Sequence, residues 1–123
     1  MRRLTSICMP LDAEAERRLA HLLEAGDAIL TFTAGKTFDD YRGDRVLRLA
    51  VERLFTIVGE ALREAARADA SVERAIPEYR MIVDFRNVVV HNYVKLFDEA
   101  IWHIRTVDLP ILLERVRALL SPA

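Results

Sequence analysis

Cysteine is almost missing from this chain: Cys8 is the only one in 123 residues. No intrachain disulfide can form, and a reducing, cytoplasmic setting is the economical expectation. No motif surrounds Cys8, which reads as an inert, partly buried thiol. Glycine and proline number four each, so turns are few and the chain should be mostly helix. No apolar run approaches the ~20 residues that span a bilayer. Leu4 to Leu11, behind Arg2 and Arg3, is broken by Thr5, Ser6 and Pro10, too short and polar for a signal-peptide or twin-arginine core. His21, His91 and His103 stand far apart with no ligand spacing, so neither a metal nor a cofactor is expected. Lysine is scarce as well. Only Lys36 and Lys95 occur among the 18 basic residues, and the rest are arginine. A coding bias towards GC-rich codons accounts for most of that excess. Net charge is −1, so no global positive field advertises nucleic acid.

What is present is the composition of a folded domain, 52% hydrophobic and 30% charged. One core can serve a chain of this length. A single domain over 1–123 is expected, with residues 1–10 flexible or loosely packed. Pro10-Leu11-Asp12 opens a first helix, with Asp12 as N-cap and Glu14 and Glu16 in the first turn. Its stripe is Leu19, Leu22, Leu23, Ile29 and Leu30, and Gly35 suits the position after its end. Thr37 to Tyr41 reads as a connecting segment pinned by Phe38 and Tyr41. The second helix repeats apolar residues at Val46, Leu49, Ala50, Leu54, Ile57, Val58, Ala61, Leu62 and Ala65. Arg53 is the one charge on that stripe and is expected at a buried edge, paired with a carboxylate.

Ala66 to Ala75 is polar and reads as a loop or frayed turn. Pro77 suits the first turn of a third helix, which carries Tyr79, Ile82, Val83 and Phe85. Val88-Val89-Val90 leans towards strand, but a strand over 87–93 would have no partner, so helix is retained. Asp98 would cap a fourth helix through Ile101, Ile104 and Val107. Pro110 then interrupts the apolar period, which resumes at Leu112, Val116 and Leu119, with Asp108 capping the second half. These elements imply an all-α fold, an antiparallel bundle of four to five helices.

The segment that carries chemistry is Phe85-Arg86-Asn87-Val88-Val89-Val90-His91-Asn92-Tyr93. On a helix, Asn87 and His91 share a face, while Arg86 and His91 diverge by about 140°. One copy makes a poor pocket. Two copies across a two-fold axis would gather two arginines and two histidines in one cleft. That cleft suits RNA cleavage by attack of a 2′-hydroxyl on its own phosphate. Histidine can serve as base or acid at neutral pH, and arginine can clamp phosphate oxygens bidentately. The structural alternative has Arg86 and His91 satisfying carboxylates or capping the helix end. Asn87 would orient His91, contact phosphate, or bond another helix. Glu60 would pair with a motif arginine or face solvent. His21 and His103 read as surface or satisfied core residues, and Trp102 as a core or dimer contact.

The pattern R-N-x-x-x-H-x-Y, standing as Arg86, Asn87, His91 and Tyr93, resembles the signature of the HEPN superfamily. Within it the chain resembles the HepT-like toxins of MNT–HEPN toxin–antitoxin systems. The likeness includes Phe32 to Asp40, Ala50-Val51-Glu52-Arg53 leading to Ile57-Val58-Gly59-Glu60-Ala61, and Ile101-Trp102 with Asp108-Leu109-Pro110. The resemblance implies a helical HEPN bundle that forms a homodimer with the motif at the dimer cleft. It implies a metal-independent ribonuclease acting on RNA, with Arg86 and His91 as its catalytic pair. It also implies a minimal nucleotidyltransferase (MNT) antitoxin as cognate partner, able to transfer AMP to Tyr93. Family members often carry glycine where Asp84 and Asn92 stand; Asn92 tolerates that backbone, and Asp84 adds negative charge near the phosphate site. The competing reading is a non-catalytic helical module that binds a nucleotidyltransferase partner or a nucleotide.

Overall fold

The computed structural model describes residues 10–77, 79–80, 82 and 94–121. Every regular element among them is helical. Helix α1 spans Ala13–Thr33, α2 Phe38–Gly43, α3 Arg45–Ala68 and α4 Ser71–Ala75. Helix α5 spans Val94–His103, a π-helical turn follows over Ile104–Asp108, and α6 spans Leu109–Leu120. Residues 79, 80 and 82 are also helical.

Helix α1 starts where its cap requires. The Asp12 carboxylate accepts the backbone N–H groups of Glu14 at 2.8 Å and Ala15 at 3.2 Å. The backbone N–H of Asp12 donates in turn to the carboxylate of Asp69, just past the end of α3, at 3.0 Å. The start of α1 therefore lies beside the end of α3, and the two run antiparallel. At its other end Gly35 turns the chain with φ of 72°, a left-handed conformation that glycine adopts without steric cost.

The segment expected as a plain connection contains α2. Thr37 accepts the N–H of Asp40, and Asp40 accepts the N–H of Thr37, a reciprocal capping box. This helix buries Tyr41 completely against Trp102 of α5, ring centroids 5.3 Å apart, with Phe38 at 6.4 Å from the same indole. The expected anchoring by Phe38 and Tyr41 is thus present, but inside a helical turn.

In α3 the buried residues are Leu47, Val51, Phe55, Val58, Ala61, Leu62 and Ala65. From Val58 onwards they match the expected stripe. Before it they stand one residue out of register, which turns a helix face by about 100°. Val46 and Leu49 consequently remain 77% and 56% exposed. Arg53 is exposed too, and forms no ion pair among the described residues, contrary to the buried-edge expectation.

The polar stretch after α3 is more ordered than a frayed loop. Asp69 accepts the backbone N–H of Ser71 at 3.0 Å and its hydroxyl at 2.7 Å, holding the turn into α4. Pro77 lies in a turn rather than in a helix.

Asp98 does not cap a helix. It lies inside α5, buried at 4% exposure, because that helix already includes Val94, four residues before it. Asp108 does not cap by its side chain either. Pro110 has no N–H for the carbonyl four residues back, and its ring crowds that turn. The helix answers with a wider turn: the N–H of Leu109 reaches the carbonyl of Ile104, five residues away. The helical path continues into α6 instead of stopping. Arg105, on the wide turn, donates to the hydroxyl of Thr33 at 2.7 Å and stacks its guanidinium 5.1 Å from the centre of the Trp102 ring. With Arg105 at the end of α1 and Leu113 against Gly26, α6 also runs antiparallel to α1. One buried cluster joins α1, α2, α3, α4, α5 and α6.

Candidate functional site

The predicted site residues Arg86, Asn87, His91 and Tyr93 lie outside the described residues, as do Asp84, Asn92 and Cys8. What the structure describes is the frame that holds both ends of that segment. On the upstream side, Ile82 packs against the core beside Phe55 and Val58 of α3 and Leu109 of α6. Gly59 of α3 faces the Ile82 backbone, where a Cβ built on the glycine would stand at ordinary contact distance, 3.7 Å, from the Ile82 carbonyl. On the downstream side, Tyr93 is joined directly to Val94, the first residue of α5. That helix is tied to α2 and α1 through Trp102 and the adjoining Arg105.

Between α2, α3 and α5 lies a largely buried polar group that no local spacing announced. The Tyr41 hydroxyl is enclosed and has no hydrogen-bond partner among the described residues. Burial pushes its pKa far above the usual phenol range, and the carboxylates of Glu52 and Asp98 push it further. Burial likewise raises Asp98, against the pull of Arg48 and Arg42. Glu52 is raised by burial and by the Asp98 charge, and lowered by Arg48. Arg48 is itself oriented by donating to the backbone carbonyl of Arg42. The group stabilises the neutral forms of its acids and holds Tyr41 as a neutral phenol. It draws on α2, α3 and α5, elements too far apart in sequence for a motif to mark.

Along α1 and α3 runs an open, polar groove of about 320 Å³, lined by Arg18 and His21 on one side and by Arg53, Glu60, Arg63 and Glu64 on the other. Glu60, expected to meet a motif arginine or solvent, faces this groove and is exposed. His21 and His103 are exposed, which selects the surface alternative over the satisfied-core one. Arg18, His21 and Arg63 carried no signal in the sequence, because only the packing of two helices brings them together. Among the described residues, no group of three or more His, Cys, Asp or Glu could hold a metal ion. No described helix is long and apolar enough to cross a membrane.

Comparison with known proteins places this frame in a group. The family described as ribonuclease HepT-like matches residues 22–119, which include the Arg86 to Tyr93 segment. A protein of Caldanaerobacter subterraneus subsp. tengcongensis named "Putative RNase" is 26% identical over 103 residues, 84% of this chain and 91% of that protein. A "Putative RNase" of Methanocaldococcus jannaschii is 26% identical over 92 residues, 75% of this chain and 84% of that protein. A second protein of that organism, named "Gamma-glutamylcyclotransferase and putative RNase", is 28% identical over 98 residues, 80% of this chain and 44% of that protein. No solved structure matches.

Proposed function

The chain belongs to the HepT-like ribonuclease family, and from that premise we propose that it is a metal-independent endoribonuclease toxin whose chemistry is carried by Arg86 and His91. The observation that carries the proposal is the family match across 22–119, with arginine and histidine at R-x4-H spacing inside it. His91 takes the proton from a ribose 2′-hydroxyl as that oxygen attacks the adjacent phosphorus. Arg86 clamps the non-bridging oxygens and stabilises the charge of the phosphorane. The 5′-oxygen leaves with a proton returned by an acid, the histidine of a second copy, giving a 2′,3′-cyclic phosphate and a 5′-hydroxyl. Asn87 orients His91 within this arrangement. The active species is a homodimer, because one copy alone supplies one motif histidine for two proton transfers.

The partner that restrains it is a minimal nucleotidyltransferase antitoxin. That enzyme transfers AMP from ATP to the Tyr93 hydroxyl, forming a phosphodiester and releasing pyrophosphate. The new negative charge and the adenosine would block RNA by repulsion and bulk. The setting is cytoplasmic, where RNA and ATP are both at hand.

Cleavage of single-stranded RNA in the presence of a chelator tests the reading. His91→Ala should lose at least about a hundredfold in rate, the usual size of a general acid–base contribution. Arg86→Ala should lose a comparable factor without loss of helical content. Equal behaviour of the wild type and the Arg86/His91 double variant, in cleavage and in growth arrest, would instead favour the non-catalytic interaction module. After co-expression with the partner enzyme, intact mass should rise in AMP units that map to Tyr93; mapping to Tyr41 or Tyr79 would refute that assignment.

A further inference from the structure

The groove between α1 and α3 is unevenly neutralised. Of its lining arginines, Arg18 is held by Glu14 at 2.7 Å. Of its lining acids, Glu64 is held by Arg67, outside the groove, at 3.1 Å. Arg53 and Arg63 have no carboxylate within ion-pair distance among the described residues, and Glu60 is the one lining acid left to offset them. Both arginines are exposed, on an open channel of about 320 Å³. A channel of that volume has room for a phosphate and its sugar, and charged side chains line most of it.

We propose that the α1–α3 groove binds the phosphate backbone of single-stranded RNA through Arg53 and Arg63, as a track for the substrate strand.

This rests on the ribonuclease reading, and binding separates the two. A 2′-O-methyl oligonucleotide cannot be cleaved by 2′-hydroxyl attack, so wild-type protein can be titrated with it by fluorescence anisotropy over a range of salt. Arg53→Ala and Arg63→Ala should each weaken binding several-fold and lower the salt slope by about 0.7, the value for one phosphate contact on a single strand. Arg45→Ala, on the same helix but off the groove, should change neither. All three substitutions are on exposed side chains, and circular dichroism should report unchanged helix. Wild-type affinity and salt slope in both groove variants would overturn the track. The same would follow if those variants altered only the sedimentation mass, which would assign the groove to a contact between copies. If the wild type binds through Arg53 and Arg63 but cuts no RNA, the track stands and the ribonuclease reading falls. If the wild type cuts RNA and the variants bind normally, the reverse holds.

Discussion

Gly26 of α1 faces Leu113 of α6, and the contact leaves no room for a methyl group. A Cβ at Gly26 would lie 2.5 Å from one Leu113 methyl carbon and 3.3 Å from the other and from Cγ. Alanine in a helix interior gains roughly 0.5–1 kcal/mol over glycine. Overpacking a closed core costs roughly 1–3 kcal/mol. Leu113 is buried, so its whole head must move, and the second effect wins. Gly26→Ala should lower the unfolding midpoint in denaturant, and the loss should largely vanish in a Leu113→Ala background; equal losses in both backgrounds would remove the steric account. Asp98 gives a prediction in pH. Burial raises its folded pKa above the ordinary value of 3.8, so its ionised form opposes folding. Its contribution is full below the unfolded pKa and is lost as pH rises through the folded pKa. Asp98→Asn should therefore melt higher than wild type at pH 7, with the gap closing as pH falls towards 4. A gap of constant size, or one that widens on acidification, would show that the buried charge is not its source.

At the scale of elements, the cap residues were the most legible. Asp12 and Gly35 act where local rules place them, because a cap is decided within three or four residues. Short helix α2 is written in the Thr37–Asp40 pair, yet aspartate at the third position makes a less familiar capping box than glutamate. The register of α3 was not legible before Val58. That helix is apolar on two adjacent faces, and only the packing partner decides which one is covered. Asp98 and Asp108 resemble caps in sequence. Helix α5 encloses the first, and the π-helical turn made by Pro110 carries the helix past the second. Arg105 closes α1 from a distance of 72 residues, which no local pattern encodes. Arg105→Ala should cost about 1–2 kcal/mol, from the lost bond to Thr33 and the lost stacking on Trp102. Urea denaturation checks this, and an unchanged midpoint would mean that the clamp is idle. In the candidate site, the chemistry was read from Arg86, Asn87, His91 and Tyr93 because they stand close in sequence. The groove was not read, since Arg18 and His21 meet Arg53 and Arg63 only across two packed helices.

For the whole molecule, near-neutral charge and RNA chemistry are compatible. A net charge of −1 excludes a generally basic surface, but a cleft needs only a local excess of arginine. The frame fits that division: a shared core joins six helices, and the motif lies in sequence between Ile82 and Val94. Two copies complete the proposed chemistry, so light scattering at micromolar concentration should give twice the chain mass. A monomer active at that concentration would remove the composite cleft. The central claim is the attack of a 2′-hydroxyl assisted by His91, and the products record it. The direct measurement is end-group analysis of a single-stranded RNA cut by purified protein, alongside the same strand carrying one 2′-deoxy residue at the cut position. The account predicts a 2′,3′-cyclic phosphate on the upstream fragment, with no cut at the deoxy position and none by His91→Ala. Undiminished cleavage at the deoxy position, or a 5′-phosphate on the downstream fragment, would contradict it.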